Sequence, residues 1–241
     1  MTYTLLARCP RTGALGVGIA TYSLAVGSKC PAIASNIGAI TTQAFVNPTL
    51  KALGLRLLGL GHPAAQVLEL LSGADSDFEF RQVALVDRSG QVACHTGSRT
   101  RSWAGHQIGD GFAALGNVLK GEAVACTMAE AFRASASGDF AERLMAAIEA
   151  GRSAGGQHGL DGPLPERSAH LLVHEADEHP AIDLRVDSHP DAVTELRRLL
   201  DEFRPYIPFY RQRWKDPARA VPQDAFVRSL PSSGYVTAGD P

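Results

Sequence analysis

Apolar residues recur along this chain in two rhythms. From Thr2 to Cys9, from Leu15 to Val26 and from Pro31 to Phe45 the side chains are small and almost continuously apolar. Such runs predict strands covered on both faces, because a strand with one wet face alternates apolar and polar residues. Pro10-Arg-Thr-Gly13 is a turn short enough to pair the first two strands antiparallel. The rhythm then becomes helical. Asn47-Pro48 opens a helix carrying Leu50, Leu53, Leu57 and Leu58, with Gly59 and Gly61 at its end. Pro63 opens a second, with Ala64, Val67, Leu68 and Leu71 on one face and Gly73 at its end. Arg81–Asp87 and Gln91–His95 read as strands joined by the turn Arg88-Ser-Gly90, and a glycine-punctuated strand region spans Ser102 to Leu119. Val124, Met128 and Phe132 mark a third helix, and Phe140, Leu144, Ala147 and Ile148 a fourth, ended by Gly151. Gly155–Pro165 reads as a mobile loop, Ser168–His174 and Ala181–Asp187 as strands, and Pro190 opens a helix with Val193, Leu196, Leu200 and Phe203 inward.

Strands, two helices, strands, two helices, strands, helix is not a series of βαβ crossovers. Antiparallel strands buried on both faces predict an α+β, four-layer αββα sandwich, two stacked sheets with helices outside. The 241 residues suit one large domain with an extension, residues 1–204 and a proline- and aromatic-rich arm over 205–241 whose last ten residues read as loose. Exposed aromatics in the arm, Pro205 to Trp214, predict a homo-oligomer formed through it.

Charge narrows the partners. The 23 basic and 25 acidic residues are interspersed, which argues against nucleic acid and acidic lipid. No apolar stretch is long enough to span a membrane, and the N-terminus has no charged, apolar leader, so a cytoplasmic protein is expected. Cys9, Cys30, Cys94 and Cys126 form no C-x-x-C pair and read as reduced, mostly buried thiols. No spacing calls for a metal or cofactor. Gly13-x-x-Gly16-x-Gly18 leads from a turn into a strand with no helix following, so it is not a dinucleotide loop.

The opening Thr2-Tyr-Thr-Leu-Leu-Ala-Arg, the stretch Gly38-Ala-Ile-Thr-Thr-Gln-Ala-Phe-Val-Asn-Pro48, His95-Thr-Gly97, Trp103-Ala-Gly-His106, Gly116-Asn-Val-Leu119, Gly155-Gly156 and Asp183-Leu-Arg-Val-Asp-Ser-His-Pro190 together resemble one bacterial family. That family is assigned to the N-terminal-nucleophile (Ntn) hydrolase-like superfamily and is itself of unknown function. The resemblance covers roughly residues 2 to 203. It implies hydrolysis of an amide-type bond in a small molecule. Thr2 would be the nucleophile once Met1 is removed, and its own α-amino group the base, since a free hydroxyl needs a base beside it. Asn117 would donate to the oxyanion, with Gly116 allowing close approach of a substrate.

Supporting roles fall to Lys29, which could depress a neighbouring amine by like-charge repulsion, and to His95 and Asp183. His106 and His189 also lie in family-like motifs. Asp183, Arg185 and Asp187 share one strand face and suggest an ion pair. One departure stands out: no Asp or Glu lies between Thr2 and Lys51, and the second strand offers Ala20-Thr21 where an acid would help. The alternative function is a non-catalytic protein of the same fold that binds a small ligand or a protein partner, with Met1 retained. In either case the Gly155–Pro165 loop is expected to cover the site.

Overall fold

The computed structural model describes residues 1–231, so the expectation for the last ten residues lies outside the described residues. The chain divides into two compact units, Met1–Leu196 and the part from Arg197 onward.

The first unit is built on two antiparallel sheets. Its strands are β1 (Thr2–Arg8), β2 (Leu15–Thr21), β3 (Pro31–Ala34), β4 (Gly38–Ala44), β5 (Arg81–Asp87), β6 (Val92–Thr96), β7 (Ala104–Gly109), β8 (Phe112–Asn117), β9 (Gln157–Gly159), β10 (Gly162–Leu164), β11 (Ser168–His174) and β12 (Ile182–Val186). Six of them make one sheet in the order β12-β11-β2-β1-β8-β7, and four make the other in the order β3-β4-β5-β6. Their inner faces meet through β1, β2, β4, β5 and β8. Leu6, Val17, Ile19, Ala84, Val86 and Leu115 fill the space between them.

The helices α2 (Thr49–Gly59) and α3 (Ala64–Ala74) cover the four-stranded sheet, packing Leu50, Leu58, Val67 and Leu71 on Ile40, Val83 and Leu85. The helices α4 (Glu122–Ala134) and α5 (Phe140–Ser153) cover the six-stranded one. The architecture is therefore the αββα sandwich expected from the sequence. Both faces of β1 are buried, which explains its unbroken apolar run.

The Gly16 and Gly18 pair has a packing cause. A Cβ at Gly16 would come within 2.4 Å of Leu144 Cδ1, and one at Gly18 within 2.8 Å of Ile148 Cγ1 and 3.2 Å of the Leu144 carbonyl oxygen. These two residues let α5 lie directly on the backbone of β2.

Several predicted elements are subdivided. The run Leu15–Val26 stops as a strand at Thr21, and a single turn of helix, α1 (Val26–Lys29), follows. The run from Pro31 to Phe45 is a hairpin, β3 and β4, turned through Asn36 at φ 61°. Ser102–Leu119 likewise holds the hairpin β7–β8. Gly155–Pro165 is no irregular loop: it folds as the hairpin β9–β10. Helix α2 starts at Thr49, whose backbone N–H is accepted by the Asn47 side chain at 3.2 Å.

Helix α6 (Ala192–Phe203) runs across the boundary between the units. The aromatic arm is helical, forming α7 (Tyr206–Lys215) and then α8 (Gln223–Ser229). Within this second unit Phe209 stacks on Phe226 at 3.9 Å between ring centroids. The two tryptophans of the chain fall one in each unit. Trp103 is half-buried with its ring against Gly105, and Trp214 is 49% exposed beneath the Lys215 ammonium.

Candidate functional site

Strand β1 begins at Thr2 in the middle of the six-stranded sheet. Its register with β8 sets Thr2 opposite Asn117, so both side chains leave the same, inner face. Tyr3 pairs with Ala20 on the other side, which brings the next residue, Thr21, beside Thr2. The two hydroxyl oxygens lie 3.3 Å apart, and each hydroxyl donates to the Met1 carbonyl oxygen. Thr2, Thr21 and Asn117 are all buried.

Above them opens a pocket of about 180 Å³ lined by Met1, Asn117, Arg101, Ser23, Phe45 and the backbone of Ala44 and Val118. Ala44 and Val118 hold left-handed backbone, φ 69° and 55°. Both are non-glycine residues, and Val118 is β-branched, so this conformation is strained and persists because the surroundings enforce it. Val118 is pinned on both sides: its N–H donates to the Arg101 carbonyl at 3.2 Å, and its carbonyl accepts from His158 N–H at 2.9 Å.

The Met1 amine is pushed down from its ordinary 8.0 to about 6. Burial is the main cause, because it disfavours the charged form. The Arg101 charge adds to the fall, and Cys30 opposes it.

Beneath Asn117 a chain of amides crosses from one sheet to the other. Gln82 Nε2 lies 3.1 Å from the Gly105 carbonyl and 2.9 Å from the Gly116 carbonyl, which can act only as acceptors. That fixes the Gln82 amide, and its Oε1 must accept. It does so from Gln43 Nε2 at 2.8 Å and Asn117 Nδ2 at 3.0 Å. Gln43 Oε1 in turn accepts from Thr4 at 2.6 Å, and Gln82 Nε2 also reaches Thr96, whose hydroxyl meets His106 Nδ1 at 2.9 Å. Asn117 thereby presents one N–H to Gln82 and keeps a second available at the pocket. Gly116 serves this packing rather than a substrate: a Cβ there would meet the Thr2 carbonyl at 2.9 Å and Leu119 at 2.5 Å.

Of the residues singled out from the sequence, Thr2 and Asn117 come together. The other three go elsewhere. Lys29 ends α1 and is exposed. The lysine packed near the amine's neighbour Cys30 is Lys51, whose Nζ donates to the Ser28 and Pro31 carbonyls. His95 stacks on Phe78 at 4.4 Å and hydrogen-bonds its carbonyl, on the side of β6 away from Thr2. Asp183 accepts from the buried His170 at 2.8 Å and from Arg185 at 2.9 Å, which together hold its carboxyl well below the usual carboxylate range. His189 sits at the start of α6, accepting the Asp191 N–H. Among the described residues no group of three or more His, Cys, Asp or Glu could hold a metal ion.

The β9–β10 hairpin is tied to the strand ends beside the site, and none of its residues lines the pocket. Gln157 Oε1 accepts the Tyr22 N–H at the end of β2, and Leu119 bridges to Gln157 at the end of β8.

Three residues with parts in this site were not singled out: Gln43, Gln82 and Arg101. Gln43 and Gln82 are the single amides of their strands, β4 and β5. A buried amide requires partners, and that was the available signal. Arg101 carried none.

The site is thus a central strand opening on a threonine hydroxyl inside an αββα sandwich. Residues 2–196 match a family of unknown function, DUF1028, and the chain belongs to that family. Protein SPO2555 from Silicibacter pomeroyi, of the same family, is similar in structure at a TM-score of 0.76 and 32% sequence identity, covering 84% of this chain and 88% of that one. Anbu (ancestral beta-subunit) from Yersinia bercovieri aligns at a TM-score of 0.39 and 11% identity, covering 96% of this chain and 99% of that one. A comparison with curated proteins returns no match. No helix among the described residues is long and apolar enough to cross a membrane.

Proposed function

We propose that this chain is an N-terminal-nucleophile amidohydrolase acting on a small molecule, with Thr2 as nucleophile after removal of Met1. The observation that carries the reading is the meeting of the Thr2 and Thr21 hydroxyls on the Met1 carbonyl, with Asn117 paired opposite Thr2 and lining, with Met1, the adjoining pocket. With Met1 gone, the Thr2 nitrogen becomes an amine in that same buried setting, where the neutral, proton-accepting form is favoured.

The Thr2 Oγ1–carbon bond then forms while the hydroxyl proton passes to this amine. The substrate C–N bond breaks as the proton moves on to the leaving nitrogen, and water splits the resulting ester. Asn117 donates its second N–H to the oxyanion. Thr21, no longer engaged with Met1, stands where an acid would otherwise orient the amine.

A second reading, a non-catalytic protein that binds a small ligand, is favoured by one observation. While Met1 remains, its carbonyl engages both hydroxyls and the Thr2 nitrogen is an amide without basicity.

Intact mass of the untagged protein, followed by a panel of small amides, separates the two. The enzyme reading expects a mass short by one methionine and hydrolysis lowered at least a thousandfold in Thr2→Ala. Retained Met1, or a Thr2→Ala variant as active as the parent, sinks it.

A further inference from the structure

We propose that the molecule taken by this pocket carries a carboxylate, and that Arg101 holds it. The inference rests on the amidohydrolase reading and adds the substrate class. The pocket wall contains one cationic side chain, Arg101, and no acidic one. Among the described residues the Arg101 guanidinium has no hydrogen-bond or ion-pair partner. By contrast, the Arg81 guanidinium is held by Asp75 at 3.0 Å and by the Phe45 carbonyl at 2.8 Å, and that of Arg99 lies over the Phe80 ring at 4.8 Å. A guanidinium is a planar fork of donors matched to a carboxylate. An unpartnered one beside a candidate nucleophile is placed to orient an anion.

The root of Arg101 is also fixed. Its carbonyl accepts from Val118, the residue directly after Asn117, so the fork is anchored within one residue of the oxyanion donor. The Phe45 ring, 48% exposed and edge-on to Phe80 at 5.5 Å, supplies the apolar part of the wall. With Met1 in place the volume is about 180 Å³, and loss of that one residue enlarges it by no more than a side chain and its backbone, which points to a small acid.

The test has two arms on the full-length protein. In the first, calorimetry measures binding of glutarate and of its neutral counterpart glutaramide. Glutarate is expected to bind at least tenfold more tightly than glutaramide. Arg101→Gln should lose at least tenfold in glutarate affinity, while Arg99→Gln should bind as the parent does. No glutarate binding, equal binding of glutaramide, or an Arg101→Gln variant that binds normally overturns the proposal. In the second arm, release of nitroaniline from glutaryl-p-nitroanilide reads the chemistry. A Thr2→Ala variant that still hydrolyses it, with glutarate binding intact, overturns the nucleophile assignment while leaving the carboxylate site standing.

Discussion

Gln82 holds the two sheets in register at the point where Asn117 must be aimed. Fully buried, it has its orientation set by two backbone carbonyls, and the amides of Gln43 and Asn117 take their direction from it. Gln82→Leu fits the space but leaves the Gly105 and Gly116 carbonyls, Gln43 and Asn117 short of partners in a dry interior. An unsatisfied buried polar group costs about 1–3 kcal/mol, so the variant is expected to lose ~3 kcal/mol or more of stability by urea unfolding. Its surviving folded fraction should have a lower kcat, because Asn117 is then free to rotate. The Met1 amine makes a separate prediction. Its folded pKa, about 6, lies below its ordinary 8.0, so between these values the unfolded chain binds more protons than the folded one. Stability from this group therefore rises from pH 6 to pH 8 and is lowest below pH 6. Urea midpoints of the chain with a free Met1 amine, compared with a chain acetylated at Met1, should diverge over that window in that direction.

At the level of elements, β2 and α5 show how a bare strand serves packing. Because Gly16 and Gly18 leave no side chains between them and the helix, Gly18→Ala must displace Ile148 and the Leu144 backbone. Overpacking of this kind costs about 1–3 kcal/mol, readable as a lowered urea midpoint with the slope unchanged. The elements themselves were largely visible in the sequence, since turns, helix starts and apolar periods are local. The misread boundaries share a cause. A continuous apolar run does not mark where a strand turns back on itself, so β3–β4 reads as a single strand although Asn36 turns it at positive φ, and the strand region holding β7–β8 shows no boundary at Gly111, which also has positive φ. The β9–β10 hairpin was hidden differently: its glycine and proline content suggests a loop, yet Leu119 and Tyr22 tie it to the ends of two sheet strands.

The site, by contrast, exists only in the whole molecule. Thr2 could be singled out because it opens the chain's first strand, and Asn117 through a resemblance. Thr21, Gln82 and Arg101 reach them across sequence separations that no local pattern encodes. Lys29, chosen for its place before the third strand, and His95 and Asp183, taken from the family-like stretches, lie elsewhere, because position in the sheet order decides what meets Thr2. The match to the family ends at residue 196, where the first unit also ends. The placement of Trp103 and Trp214 in different units has a spectroscopic consequence. Intrinsic fluorescence of this protein has two emitters that never share a unit, one half-buried and two residues from Arg101, the other open to water. With Trp214 replaced by phenylalanine, the remaining emission becomes an optical probe of the pocket rim alone.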